Sequence, residues 1–355
     1  MHFNDGQIPP EYAQLIRRKT LFIIAGCVIT AAVLTLSIGM GPVSISTMET
    51  LKTLLGETVS KRFDIIIWNI RLPQALTAIV AGAGLSVSGA VMQAILRNPL
   101  GSPFTLGISH AAAFGAAVSV MVLGLGTMSS SNVGAISINS PYLTTVVSFS
   151  FSLIATFVII AISRLRRATP EVMVLTGVAL GALFTAGTMF LQYFADDVQL
   201  AAMVFWTFGD VARATWTELG IMSAVTLIAY IWFTLNRWNF NAIEAGDETA
   251  KGLGVKVERV RITGMLLSSL VTAVIVSFLG IIGFVGLVCP HMVRRMIGDD
   301  YRFLLPGSCL LGGALLLTAD TAARLMLAPN VLPVSVLTAF LGAPMFIWLI
   351  IKGNK

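Results

Sequence analysis

Ionisable side chains inside apolar stretches are the first place to look for chemistry, because a charge held away from water is costly. This chain has few of them. Asp320 and Arg324 stand four residues apart in the apolar run 304–326, a spacing that puts both on one helix face within pairing distance. Two chemistries fit: a self-neutralised pair whose arginine reaches towards water, or a cation held out for the carboxylate of another protein. Arg71, two residues before Pro73 at the start of another apolar run, has the same two readings, an interfacial anchor or a contact for a docking partner. Metal chemistry has no support, since Cys27, Cys289, Cys309, His2, His110 and His291 are scattered singly, without ligand spacing. The stretch Gly246 to Gly254 has glycines and Lys251, but not in the order of a phosphate-cradling loop, and no zinc-protease motif or nucleophile elbow occurs. The expectation is a chain that is no enzyme and binds no cofactor or metal itself.

Three polar stretches carry the remaining candidates. Arg97, Asn98, Pro99 and Leu100 make a tight loop, and the stretch from Arg164 to Glu171, with Thr169 and Pro170, leads basic residues into the next apolar run. Both read either as loops that set topology or as working parts. The longest polar stretch, 237–261, places Glu244, Asp247, Glu248 and Lys251 beside Ala245, Ala250, Leu253 and Val255, with Gly246, Gly252 and Gly254 interrupting any helix. It is either a solvated loop or a set of short helices lying across the membrane face, a surface on which a partner could push.

The elements that must position these residues follow from composition. Hydrophobic residues make up 56% and charged residues 11%, far below the roughly 25% charge of a soluble domain. The apolar runs are long and continuous, not alternating, which selects membrane-spanning helices over a barrel. Runs near 21–40, 74–94, 104–125, 142–163, 171–193 and 216–235 each suit one span. The run 262–293 would extend roughly 48 Å as one helix, too long for one span and too short for two. Gly280, Gly283, Gly286 and Pro290 therefore predict a full helix followed by a short, broken one. Runs near 304–326 and 332–352 complete about ten spans in a single membrane domain, 21–352, behind an uncleaved cytoplasmic segment, 1–20.

Orientation follows from the basic residues. With both termini in the cytoplasm, the outer side receives only Lys52, Lys61, Arg62, Arg71, Arg213 and Arg324, leaving 17 of the 23 lysines and arginines inside, among them Arg166, Arg167 and Lys355. The same bias accounts for the net charge of +6 without a nucleic-acid partner. Small residues at four-residue spacing, such as Gly177 with Gly181, and the cluster Gly82, Gly84, Ser86, Ser88 and Gly89 predict helices that approach closely. The scarcity of buried acids argues against the principal rival class, an ion-coupled secondary transporter.

These residues also fall in a familiar order. Arg71-Leu72-Pro73, Gly82 to Gly84, Ser88 to Gln93, Asn98-Pro99-Leu100, Gly177 to Gly181, Trp206 to Gly209, Gly283 to Val288 with Pro290-His291, Asp320 to Arg324, Leu332-Pro333-Val334 and Leu341 to Trp348 together resemble the FecCD family. These are the iron-siderophore, haem and cobalamin permeases of type II ABC importers. The resemblance implies that family's all-α permease fold in a prokaryotic inner membrane. It implies a homodimer among membrane lipids, on two ATPase subunits that hold ATP-Mg, with a periplasmic or lipid-anchored substrate-binding protein outside. It implies docking of that protein at Arg71 and Arg324, and ATPase coupling at Gly246, Ala250, Leu253 and Gly254. The cytoplasmic gate would lie at Asn98, Leu100, Thr169, Pro170 and Glu171, and Gly177, Gly181, Leu341, Gly342 and Phe346 would line the pathway. By family frequency the cargo would be a ferric siderophore, with haem and cobalamin as alternatives. Gln74, following Arg-Leu-Pro where some members carry a second arginine, and Ala245, standing where leucine is frequent, depart from the pattern.

Overall fold

The computed structural model describes residues 10–41, 43, 45–57, 60–124, 126–128, 136–138, 141–165, 169–326 and 331–352. Residues 1–9 of the expected N-terminal segment, and Arg166, Arg167 and Lys355 among the expected cytoplasmic cations, lie outside the described residues. Among the described residues fifteen α-helices follow one another: α1 (Pro10–Gly39), α2 (Thr47–Leu54), α3 (Lys61–Ile66), α4 (Leu72–Leu96), α5 (Ile108–Met121), α6 (Pro141–Leu165), α7 (Pro170–Phe194), α8 (Asp197–Thr207), α9 (Trp216–Leu235), α10 (Arg237–Glu244), α11 (Asp247–Gly252), α12 (Val257–Leu279), α13 (Val285–Ile297), α14 (Tyr301–Met326) and α15 (Val334–Lys352). A short antiparallel ribbon pairs β1 (Gly126–Met128) with β2 (Ile136–Ile138) between α5 and α6.

Among the described residues, seven helical stretches are long and apolar enough to cross a membrane, and α5 and α15 supply shorter apolar helices. With the short α13 they account for the ten runs expected from the sequence. The 262–293 run divides where its glycines said it would: Gly280 (φ 84°) ends α12, and Phe284, a non-glycine at φ 65°, opens α13. Two boundaries differ from expectation. The 104–125 run becomes helical only at Ile108, because Ser102 and Thr105 bind each other and the Leu100 carbonyl, holding a loop that ends at Gly107. At the other boundary, α1 begins at Pro10 and passes through Arg17, Arg18 and Lys19 without a break. The apolar helix α8, set off from α7 by Asp196 and Asp197, was not among the expected runs.

At the centre lies α4, four-fifths of whose apolar window is buried (78%), against 11% for α1 and 17% for α7. It packs on α12, α13 and α14, and glycines make this possible. A Cβ at Gly82 would collide with the Gly312 carbonyl on α14, and one at Gly89 with the Gly286 carbonyl on α13. The glycine and serine cluster is thus the seam along which three helices meet backbone to backbone. The faces of α7 and α15 turn outward instead, with Leu175 and Phe340 more than two-thirds exposed.

Candidate coupling and gating surfaces

At the end of the molecule where α4 finishes, α10 and α11 form an angled shelf. Gly246, at φ 123°, makes the corner between them, a backbone conformation that a Cβ would strain. Phe240, Ala242 and Ile243 anchor α10 inward, and Ala250 does the same for α11 with no exposed surface. Leu253, 70% exposed, projects at the end of the shelf, beside Gly252 and Gly254, where nothing stands near an added Cβ. Of the four expected coupling residues, then, Leu253, Gly254 and the Gly246 corner form the shelf, while Ala250 fixes it to the body.

Two arginines pin this shelf. From α12, Arg261, only 3% exposed, donates through Nε to the Ile95 carbonyl at 2.8 Å and through Nη2 to both Asp247 carboxylate oxygens at 2.9 and 3.0 Å. Ile95 belongs to the last turn of α4, whose carbonyls have no partner within the helix, so Arg261 caps α4 while holding α11. From α13, Arg294 bonds Glu244 of α10 and the Tyr301 hydroxyl, and reaches Asp299 at 3.1 Å. Tyr301, fully buried, donates to the Ala90 carbonyl of α4 at 3.3 Å, and its own amide donates to Asn241 of α10 at 3.0 Å. Sequence reasoning counted both arginines only as topogenic charge. The available signal was position, since each sits beside or within an apolar helix and not in the middle of a loop.

The candidate gate loop leaves α4 through Arg97, in the left-handed region at φ 46°. The Asn98 side chain accepts from the Leu100 amide at 2.9 Å, closing a turn that leaves Leu100 about half exposed. The residues that follow the loop border a cavity of about 150 Å³, lined by Ser102, Phe104, Thr272, Phe284 and Leu287 among others. Thr169 and Pro170 have a local job as the cap and first residue of α7, with Glu171 in its first turn, where a carboxylate suits the helix dipole.

The expected pathway residues do not share one surface in this chain. Gly177 and Gly181 are buried against the turn at Leu106 and Gly107; a Cβ at Gly107, itself at φ 79°, would lie 2.8 Å from the Gly177 carbonyl. They are close-packing positions, and Leu175 and Val178 occupy the exposed face of α7. On α15, Leu341 is exposed, Gly342 is buried where a Cβ would meet Phe284 at 2.6 Å, and the Phe346 ring meets His291 edge-on at 6.1 Å.

At the opposite end, Arg71 and Arg324 turn inward, contrary to the expectation of outward-facing contacts, and are 5% and 9% exposed. The Arg71 guanidinium donates to the carbonyls of Ile38 at 2.8 Å and Gly39 at 2.9 Å, and to that of Val43. Arg324 binds Asp320 at 3.1 Å, the Ser37 hydroxyl at 2.8 Å and the Met40 carbonyl at 3.4 Å. The physical reason is the end of α1, whose last carbonyls lack partners and attract cations. Gln74 donates to the second Asp320 oxygen at 3.0 Å, so a neutral donor suffices where Arg324 already supplies the charge. Lys52, Lys61 and Arg62, on α2 and α3, are exposed at this end. Among the described residues no group of histidines, cysteines and acids is arranged to hold a metal.

Comparison with known proteins agrees with this geometry. The FecCD transport family matches residues 29–352. A protein named as an ABC transporter permease in Methanocaldococcus jannaschii is 52% identical over 98% of this chain and 99% of its own length. A hemin transport system permease of Yersinia pestis is 38% identical over 90% of this chain and 92% of its own. A vitamin B12 import system permease of Vibrio cholerae is 37% identical over 81% and 83%. Among solved structures, an inward-facing transporter described as of the metal-chelate ABC type aligns with a TM-score of 0.79 at 28% identity, covering 94% of this chain and 99% of that one. A multi-pass helical membrane protein with a charge-pinned shelf at one end and a match of this extent has one assignment: the chain belongs to the FecCD transport family.

Proposed function

We propose that this permease pairs with a second copy of itself, rests on two ATPase subunits that bind ATP-Mg, and passes a bulky metal chelate between the copies by alternating access. The observation that carries this reading is the shelf. Leu253 projects beside two glycines that leave room for a partner surface, and the arginines beneath bind the shelf to the central helix. A partner closing against Leu253 would move a stiff element, and differential contact between two states is what lets ATP shift the equilibrium. The outward apolar faces of α7 and α15 suit the second copy. A substrate-binding protein would meet the end bearing Lys52, Lys61 and Arg62, which are exposed to a partner's carboxylates. Arg71 and Arg324 would serve that docking from below, by fixing the turn that follows α1.

The buried acids support ATP-driven over ion-coupled transport. Asp320 is engaged by Arg324 and Gln74, and Glu218 by Thr215 and Tyr142, so neither stands free to carry a proton. The relatives' names bracket the cargo as a metal chelate, haem or a corrinoid, and we include the ferric siderophores in that bracket. The test is ATP hydrolysis by the complex reconstituted in proteoliposomes with its binding protein, offered ferric siderophore, haem or cobalamin in turn. One class should raise the rate and accumulate inside; hydrolysis indifferent to all three, or uptake that persists without the ATPase, would overturn the proposal.

A further inference from the structure

The link from shelf to gate can be traced through a single side chain. Arg261 occupies the first turn and a half of α12 and is almost wholly buried. One side of its guanidinium fork grips both oxygens of Asp247, the first residue of α11. The other side, through Nε, grips the Ile95 carbonyl, three residues before Asn98. Two neighbouring end carbonyls of α4 are taken locally, that of Ala94 by the Arg97 amide and that of Gln93 by the Asn98 amide. Arg261 therefore joins α11 directly to the point where α4 gives way to the loop of Asn98 and Leu100, and it does so through a planar guanidinium whose Nε and Nη2 are fixed relative to each other.

We propose that Arg261 is the positioning residue that conveys movement of the α11 shelf to the Asn98–Leu100 loop, so that ATP turnover and opening of the pathway stay in step. The inference rests on the functional reading above and adds the element of transmission to it. Three observations favour this role over a merely structural one. The bond to Asp247 ends on a residue whose side chain is 29% exposed, against 3% for Arg261, so the link runs from the partner-facing surface to the interior. The loop it meets runs on into Ser102 to Thr105, which border a cavity of about 150 Å³, so the chain beyond the link leads to an internal space. The second arginine, Arg294, holds the far end of the shelf to α13 and α14 and has no bond to the last turn of α4 among the described residues. Division of labour follows: Arg294 fixes the shelf's position, and Arg261 passes its displacement on.

The test uses the complete complex in proteoliposomes, reading chelate transported per ATP hydrolysed. Arg261→Lys keeps the charge but cannot grip Asp247 and the Ile95 carbonyl together. It should assemble and hydrolyse ATP within about twofold of the parent while transport per ATP falls at least fivefold. Asp247→Asn, at a residue less buried and therefore tolerant, should lower the same ratio, and the double variant should lose no more than the worse single one. A second readout separates transmission from folding. In a background lacking Cys27, the Leu100→Cys variant should show an ATP-dependent rate of thiol labelling, and Arg261→Lys should abolish that dependence without abolishing hydrolysis. If both single variants keep the parental ratio, or if labelling at position 100 still responds to ATP, the inference is overturned. Should Arg261→Lys fail to assemble, Asp247→Asn alone decides by the same two measures. A parental complex that hydrolyses ATP without moving any chelate would instead overturn the functional reading, and the inference with it.

Discussion

The two ends of this molecule each bury two arginines beneath a surface, and they do different things with them. At the end where α1 finishes, Arg71 and Arg324 spend their donors on backbone carbonyls and on Asp320, all within the meeting of α1, α4 and α14. At the other end, Arg261 and Arg294 bond to Asp247 and Glu244, acids of the shelf that partly reach the surface (29% and 30% exposed). Arginines of the first kind close off an element. Those of the second kind join one element to another, because the acid they hold sits on a separate short helix of the shelf. Burial of a cation is thus uninformative about function until the location of its counter-charge is known.

Removing a coupling arginine should have the larger effect. Arg294→Met leaves Glu244 and the fully buried Tyr301 hydroxyl without their principal partner, and breaking a buried charged pair from one side costs about 3–5 kcal/mol. The expected outcome is a marked fall in the thermal unfolding midpoint in detergent, together with loss of ATPase co-purification, since α10 is no longer held. An unchanged midpoint would show that the shelf is secured by Phe240 and Ile243 alone, and that the contrast between the two ends is weaker than drawn.

At the opposite end, Arg71→Gln should destabilise by a smaller amount, about 2 kcal/mol, because it loses charge-assisted bonds to carbonyls but strands no ion. Protein that survives should transport with a normal ratio to ATP hydrolysed. Reversing the exposed cations, Lys52→Glu with Lys61→Glu and Arg62→Glu, should do the converse: unfolding unaltered, association with the binding protein slowed at least tenfold, and the deficit shrinking as salt rises. If Arg71→Gln abolished docking while the triple reversal left it intact, the buried arginine would be the contact and the exposed cations bystanders.

Much of the fold was legible because the bilayer demands long apolar helices, and Gly280 marked the one run that had to divide. The small-residue cluster around Gly82 and Gly89 was legible as close packing, though its partners Gly312 and Gly286 were not, since helix pairing is decided by the whole bundle. For the candidate site, Asn98 announced its turn by chemistry that stays within three residues. The inward turn of Arg71 could not be foreseen, because its acceptors lie about thirty residues away at an α1 end that sequence does not locate. Nor could Ala250 be told from Leu253: α11 spans only six residues, too few for a helical period to show which face is buried.

The smallest effect concerns the rivets between shelf and body that do carry an acid outside the membrane. Asp300 is partly buried, which raises its carboxyl, but bonds from the Arg302 side chain and backbone and from Asn241 outweigh this and hold it below the ordinary aspartate value. Because the folded value lies below the unfolded one, near 3.9, its contribution is complete above the unfolded value and disappears as pH falls through the folded one. Asp300→Asn should therefore cost under about 1 kcal/mol at neutral pH, allowing for solvent screening of the Arg302 partner, whose side chain is 32% exposed, and the cost should fade as pH drops through the folded value. Amide exchange across α10, compared at pH 7 and then stepwise into acid in parent and variant, measures this. The two should differ at pH 7 and converge in acid if Asn241 and Asp300 help hold the shelf. A difference that persists in acid would mean that the side chain's shape, not its charge, secures this corner, and that the electrostatic pinning of the shelf belongs to Arg261 and Arg294 alone.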